Sequence, residues 1–359
     1  MSASPSPSAI ERRAPLSRRK DTRVSYLLTT RNRADCLRRA LENVREFLEP
    51  QDELIVIDAA STDETRQVVE ASGLATIFES SPDRGEAHGF NKGILQASGR
   101  WIKLLTDDDL FYPDAMRHAI RVLEENPQLD ALLCGGEKID ILPDGTERFR
   151  CYARLPEGVR IGPDGEAILR WANCGLGLWL RRESIAWMGL LDASFLAVDS
   201  EYMARLIRLG ADFRYLDVNL YRHRVHAESA GARPSRQSEM RRDLIRVRAS
   251  LGLWEDLLAC QNGFLTLTDV RDALGWPLSD AAMELLGLGA RWRQAGAKGR
   301  LALALPRALV WALAKAFQGA RKARLKLLGR GKSARRAQNP LLPAGPSEPP
   351  TIEWTGELR

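Results

Sequence analysis

Apolar and polar positions fall into blocks along the first part of the chain. "RVSYLLTT" and "DELIVIDAAS" are short apolar runs suited to strands buried on both faces, and "ATIFES" and "RWIKLLTDDD" repeat the pattern further on. Between them, "RADCLRRALENVREFL", "TDETRQVVEAS" and "GEAHGFNKGILQAS" carry apolar residues at helical spacing. Strand and helix therefore alternate about every 25 to 30 residues, as in βαβ units that build a parallel sheet covered by helices. The pattern then becomes mixed. "PDAMRHAIRVLEENPQLD" predicts a helix, "ALLCGGEKIDI" and "TERFRCYARL" two strands across the turn "LPDG", "GLGLWLRRESIAWMG" a strand and a short helix, "SEYMARLIRLG" an amphipathic helix, and "DFRYLDVNLYRHRVH" a closing strand.

Composition narrows the setting. The chain of 359 residues has room for one large α/β domain and an appendage. Five scattered cysteines without a close pair argue against a zinc site and for reduced thiols in the cytoplasm. The first 21 residues, rich in Ser, Pro and Arg, predict a disordered leader, and no apolar stretch is long enough to span a bilayer. The net charge of +6 is concentrated in one region: residues 285–347 hold 14 Lys and Arg and no acid, leaving 39 basic against 47 acidic residues elsewhere. The main domain is therefore acidic, which speaks against nucleic acid as a partner.

Candidate chemistry sits at the strand ends, where ligands of parallel sheets bind. Asp58 closes the second apolar run, and Asp107, Asp108 and Asp109 close the fourth. One Asp suffices for a surface turn. Three together repel one another, and a divalent cation such as Mg²⁺ or Mn²⁺, shared with phosphate oxygens, would relieve that repulsion. On the cluster alone, turn and cation site both stand.

"VSYLLTTRNRADCLRRAL", "IVIDAASTDETRQVV", "SPDRGEAHGFNKGILQASGRWIKLLTDDDLFYPDAM" and "VDSEYMARLIRLG" occur in an order and spacing that resemble the family 2 glycosyltransferases over residues 22 to 230. The resemblance implies a GT-A fold, an α/β architecture with a mixed sheet flanked by helices, here followed by a helical C-terminal region at 231–328 and a disordered tail at 329–359. It implies a nucleotide-sugar donor, single displacement with inversion, and a divalent cation held at the Asp cluster. Carried over residue by residue, Thr30 and Asp58 cradle the nucleoside, Arg84 meets the diphosphate, and Asn91 with Lys92 orients the donor. Asp108 is the first choice as metal ligand, with Asp109 and His226 beside it, while Asp107 and Asp109 hold the sugar or a water. Asp199 is the implied base that deprotonates the acceptor hydroxyl, with Glu201 a second choice. Arg222 and Arg224 would add positive charge, and Trp171 and Asn173 would line the acceptor side.

Three departures from the family pattern are Thr106 in place of an Asp, Ala59 and Ala60 after Asp58, and Val198 before Asp199. Ala59 and Ala60 leave the base of the nucleotide open, and Thr106 and Val198 keep open a second reading, a GT-A-like protein that binds sugar nucleotide or glycan without catalysis. A sugar nucleotidyltransferase is disfavoured, because "TTRNRAD" lacks the glycines of a nucleotide loop. The segment "RLALALPRALVWALAKAFQGARKARLKLLGRGKSARR" suits an interfacial helix on anionic lipid, or else a helical pair packed on the catalytic domain. The first of these suits a glycan or lipid-linked acceptor at the cytoplasmic face of a membrane.

Overall fold

The computed structural model describes residues 22–155, 175–226, 229, 234–253, 267–275 and 283. They fall into two compact units, the first running to Arg236 and the second beginning at Gln237.

The first unit is built on one sheet. Strands β1 (Val24–Thr30), β2 (Glu53–Asp58), β3 (Ile77–Ser80) and β4 (Trp101–Thr106) are mutually parallel in the order β3-β2-β1-β4. They alternate with helices α1 (Ala34–Arg45), α2 (Thr65–Ser72) and α3 (Glu86–Gln96), as the hydrophobic pattern predicts. The two-residue strand β5 (Leu110–Phe111), which the sequence does not reveal, follows the Asp cluster and leads into α4 (Pro113–Glu125). The chain then forms β6 (Ala131–Ile141), β7 (Glu147–Ala153), β8 (Leu178–Arg181), the single turn α5 (Ile185–Met188), α6 (Val198–Leu209) and β9 (Phe213–Val225). Strand β8 joins the halves, running antiparallel to both β4 and β6, while β9 lies parallel to β6 and carries β5. This mixed second half continues the parallel first half in one sheet.

Helices cover both faces of the parallel half. Leu37, Leu41 and Val44 of α1, Val68 and Val69 of α2, and Met116, Ile120 and Leu123 of α4 share one cluster with Tyr26, Leu28, Val56, Trp101 and Leu105. Each large apolar side chain removed from water there contributes roughly 1.5 to 3 kcal/mol. Helix α3 lies on the opposite face at close range. A Cβ at Gly93 would stand 3.3 Å from Leu27, and one at Gly89 would stand 3.1 Å from Thr29, so glycine at this i, i+4 pair sets the approach. That approach brings the start of α3 near the strand ends.

A lysine lies inside the core. Lys103 of β4 is fully buried. Its ammonium donates to the Leu176 carbonyl and, at 3.4 Å, to that of Leu178, and lies 5.0 Å from the Phe111 ring centroid. It thereby holds the turn Gly175–Gly177 against the sheet. Strand β7, exposed from Glu147 to Tyr152, pairs among the described residues with β6 alone and carries Glu147, Arg148 and Arg150, charges that discourage further strand pairing.

In the second unit, Ile245 and Val247 of α7 (Pro234–Leu251) and Val270 of α8 (Leu267–Leu274) are buried, and Arg241 pairs with Asp269 at 3.4 Å. No helix among the described residues is long and apolar enough to cross a membrane. The expected leader, the basic segment 285–328, the tail, Trp171 and Asn173 lie outside the described residues.

Candidate active site

Strands β1, β2 and β4 end side by side, since Thr30 is in register with Asp58 and Thr29 with Thr106. The loops that follow are tied to each other. Asn32, in a left-handed conformation at φ 51°, accepts from the Thr62 amide at 2.8 Å and donates its own amide to the Ser61 hydroxyl at 2.7 Å. Asp63 accepts from the Ala34 amide at 3.0 Å and so caps α1, whose own N-cap residue supplies no side-chain bond.

Asp58 is buried, and its carboxylate accepts from the Ser61 amide, the Ser61 hydroxyl at 2.5 Å and the Ser80 hydroxyl at 2.6 Å. Neutral donors close to it in the fold occupy both oxygens.

The Asp cluster is held by different chemistry. Asp107, 5% exposed, accepts from Thr30 at 2.8 Å and from Arg33 at 3.0 Å. Burial and the adjacent Asp108 push its carboxyl up to about 6. Asp108 accepts at one oxygen from Arg33 at 2.6 Å and from His226 Nε2 at 2.9 Å. Burial opposes its charge, yet the bonds from His226 and Arg33 together hold it below the usual carboxylate range. Burial likewise opposes the Arg33 charge, and Asp107 and Asp108 more than compensate, raising its pKa. Asp109 faces the other way. It accepts from Thr106 at 2.5 Å, from the Arg224 amide at 2.7 Å and from His223 Nδ1 at 3.2 Å. His223 is raised, because the Asp109 bond outweighs burial.

The acid and histidine set can be tested against a cation. Among the described residues, no group of three or more His, Cys, Asp or Glu forms a ready metal cage. One carboxylate and one imidazole do converge at Asp108 and His226. That is a donor set suited to Mn²⁺ or Mg²⁺ when diphosphate and water oxygens complete the shell, so the residues fit a cation shared with a donor. Asp109 departs from the role of ligand implied by the resemblance. With its oxygens bonded to Thr106, Arg224 and His223, it fastens the end of β9 to the end of β4 and thereby carries His226 to Asp108.

On the other side, Asp199 lies in the first turn of α6, accepting from the Ser200 amide at 2.7 Å and the Gly175 amide at 3.3 Å. Glu201 is not available as a base, because it forms a two-pronged ion pair with Arg205. Asn91 also differs from its expected role. Its amide donates to the Leu191 carbonyl at 2.8 Å and accepts from the Leu191 amide at 2.9 Å, so it tethers the loop before α6 instead of facing a donor. Lys92 bonds Ser81 and the Pro82 carbonyl, holding the loop in which the exposed Arg84 stands. Arg222 and Arg224 both pair with Glu147, and Arg222 also with Glu137, which offsets the charge expected of them. Glu86 opens α3; desolvation and the negative field of Asp199, Asp108, Asp109 and Asp107 push its carboxyl up to about 7, although solvent at its exposed side screens the effect.

Sequence reasoning missed Arg33, Lys103 and His223. Arg33 had a signal, as a second arginine directly behind the first strand in "TTRNRAD". Lys103 inside an apolar run gave none that distinguishes a buried lysine from one at a strand edge.

A parallel-then-mixed sheet with acids at its strand ends defines the GT-A class of nucleotide-sugar folds. Solved structures bear this out: a mannosyltransferase of Pyrobaculum calidifontis, solved with GDP-Man and Mn²⁺, matches with a TM-score of 0.50 at 20% identity, over 81% of this chain and 86% of that one. TarS residues 1–349 of S. aureus, solved with UDP-GlcNAc, match at 0.51 and 14% identity, over 82% and 80%. Residues 25–150 match the model of glycosyl transferase family 2. A poly-beta-1,6-N-acetyl-D-glucosamine synthase of Staphylococcus epidermidis is 28% identical over 112 residues, 30% of this chain and 27% of that protein. An uncharacterised glycosyltransferase of Rickettsia prowazekii is 28% identical over 118 residues, 33% of this chain and 37% of its own length. The chain thus matches less than two fifths of the length of these curated relatives.

Proposed function

We propose that the protein is an inverting glycosyltransferase that moves a sugar from a nucleotide diphosphate to a hydroxyl of a glycan or lipid-linked acceptor in cell-surface polysaccharide synthesis. The observation that carries this reading is the meeting of Asp108 with His226 at 2.9 Å across 118 residues of chain, at the edge where the parallel strands end. Thr30, Asp58 and Arg84 belong to the donor side, and Asp108 with His226 would hold a divalent cation. When bound, that cation would neutralise charge developing on the departing diphosphate.

Asp199 acts as the base in this reading. Its carboxylate takes the proton of the acceptor hydroxyl while that oxygen attacks the anomeric carbon, and the nucleotide diphosphate leaves from the opposite face. The Gly175 and Ser200 amides hold the carboxylate in place at the first turn of α6. The loop tethered by Asn91 and Arg205 fixes the start of α6 relative to α3. The basic segment 285–328 suits an anionic membrane surface at the cytoplasmic side, where a lipid-linked acceptor would be presented.

A thermal-shift screen of the full chain against UDP-, GDP-, dTDP- and CMP-sugars, with Mn²⁺, Mg²⁺ or EDTA, tests the donor site. A metal-dependent shift with one nucleotide class, lost in Asp108→Ala, is expected. No shift with any donor in the presence of metal would overturn the reading. Donor binding with a biological role that survives Asp199→Ala would instead mark a binding protein without catalysis.

A further inference from the structure

Arg33 occupies the place where a cation would act. Its Nη1 bridges Asp107 at 3.0 Å and Asp108 at 2.6 Å, and the Asp108 oxygen that it meets is the same one that receives His226 Nε2. An imidazole nitrogen facing a carboxylate oxygen presents a proton to it, whereas a metal ligand must present a lone pair. A divalent cation that took this Asp108 oxygen and His226 Nε2 together would therefore have to displace a partner from them.

The surroundings make Arg33 the partner free to leave. Asp109 and Ser229 anchor the end of β9: the Arg224 amide donates to Asp109, and the His226 amide to Ser229 at 3.0 Å. Thr30 holds Asp107 from below. The Arg33 side chain is 23% exposed and opens to solvent, while its backbone is fixed between the Asn32 ties and the Asp63 cap. The guanidinium can swing out while the loop stays in place.

We infer that Arg33 is a built-in counter-ion that competes with the divalent cation for Asp108, and that cation binding expels its guanidinium toward the side where the donor diphosphate lies. Arg33 would then stabilise the metal-free site and, once released, offer its planar fork to diphosphate oxygens. The inference rests on the reading of Asp108 and His226 as cation ligands.

Two measurements on the full chain, with Mn²⁺ as the only probe and no nucleotide, test it. In the first, paramagnetic resonance of free Mn²⁺ gives the affinity of the wild type, Arg33→Gln, Arg33→Lys and Asp108→Asn. Removing a competing positive charge a few ångströms from the site is expected to tighten Mn²⁺ binding about tenfold in Arg33→Gln, with Arg33→Lys between it and the wild type. Asp108→Asn is expected to lose the site. Equal or weaker binding by Arg33→Gln than by the wild type would overturn the inference and leave the cation site standing. Failure of both to bind better than Asp108→Asn would overturn the cation site and this inference with it. In the second, phenylglyoxal modification of Arg33 in the wild type, mapped by peptide mass spectrometry, is expected to speed up several-fold when Mn²⁺ is added. An unchanged or slower rate would contradict the expulsion of the guanidinium.

Discussion

Asp58 and Asp108 stand at the ends of β2 and β4, the two strands that flank β1, yet they are held by opposite means. Asp58 is bonded by Ser61 and Ser80, neutral groups no more than 22 residues away. Asp108 is bonded by Arg33 and His226, cationic or polarisable groups 75 and 118 residues away. A carboxylate fixed by hydroxyls and an amide is held in place by neutral groups alone, which suits an acceptor of hydrogen bonds from a neutral base. A carboxylate sharing its charge with an exchangeable guanidinium suits ion exchange. One sheet edge thus carries a rigid acceptor and an exchangeable one.

Substitutions can break this contrast, and the largest effects are expected at the exchangeable end. Asp108→Ala should abolish the metal-dependent thermal shift by nucleotide sugar altogether, while the circular dichroism of the folded chain persists. Asp199→Asn should lower turnover by roughly 10²- to 10⁴-fold with donor affinity retained, a separation read from steady-state kinetics beside calorimetry. Asp58→Asn should weaken donor binding about tenfold without changing Mn²⁺ affinity, because the cation does not depend on that end.

Asp107 sharpens the contrast through pH. Its folded carboxyl sits at about 6 against an ordinary value of 3.8, so the folded state holds the extra proton. Its contribution to the stability of the metal-free protein is therefore fully present below about 4 and is lost as pH rises to about 6. Asp108 works in the opposite sense: its pKa is lowered, so its contribution is present above the ordinary value and is lost in more acidic solution. Thermal melts of Asp107→Asn in EDTA should lack the decline between pH 4 and 6 that the wild type carries from this group. The smallest effect is expected from Ser80→Ala, which removes one of the bonds to Asp58 and should cost about 1 kcal/mol in denaturant unfolding.

The same contrast explains how much was legible in the sequence. The parallel half could be read because β1, β2 and β4 are largely apolar runs and α1 shows one apolar face, both consequences of local pattern. The acids at the strand ends were legible for the same reason. Of their partners His226 was legible through the resemblance, whereas the pairings of Arg33 with Asp108, His223 with Asp109 and Asn91 with Leu191 were not, because each joins residues far apart in the chain. Thr106 shows this well. As sequence it was a departure from the family motif, and in the fold its hydroxyl binds Asp109 and helps to turn that carboxylate away from the cation side. Strand β5, two residues long, is defined only by its pairing with β9 and carries no periodicity of its own.

The most direct test of the account is anomalous scattering from crystals grown with Mn²⁺ and the nucleotide diphosphate that wins the thermal screen. The account predicts one Mn²⁺ peak at about 2.2 Å from an Asp108 oxygen and from His226 Nε2, with the Arg33 guanidinium no longer on Asp108 and the base of the nucleotide against Asp58. A peak at Asp58, or a nucleotide bound with Arg33 still bridging Asp107 and Asp108 and no peak beside them, would contradict it.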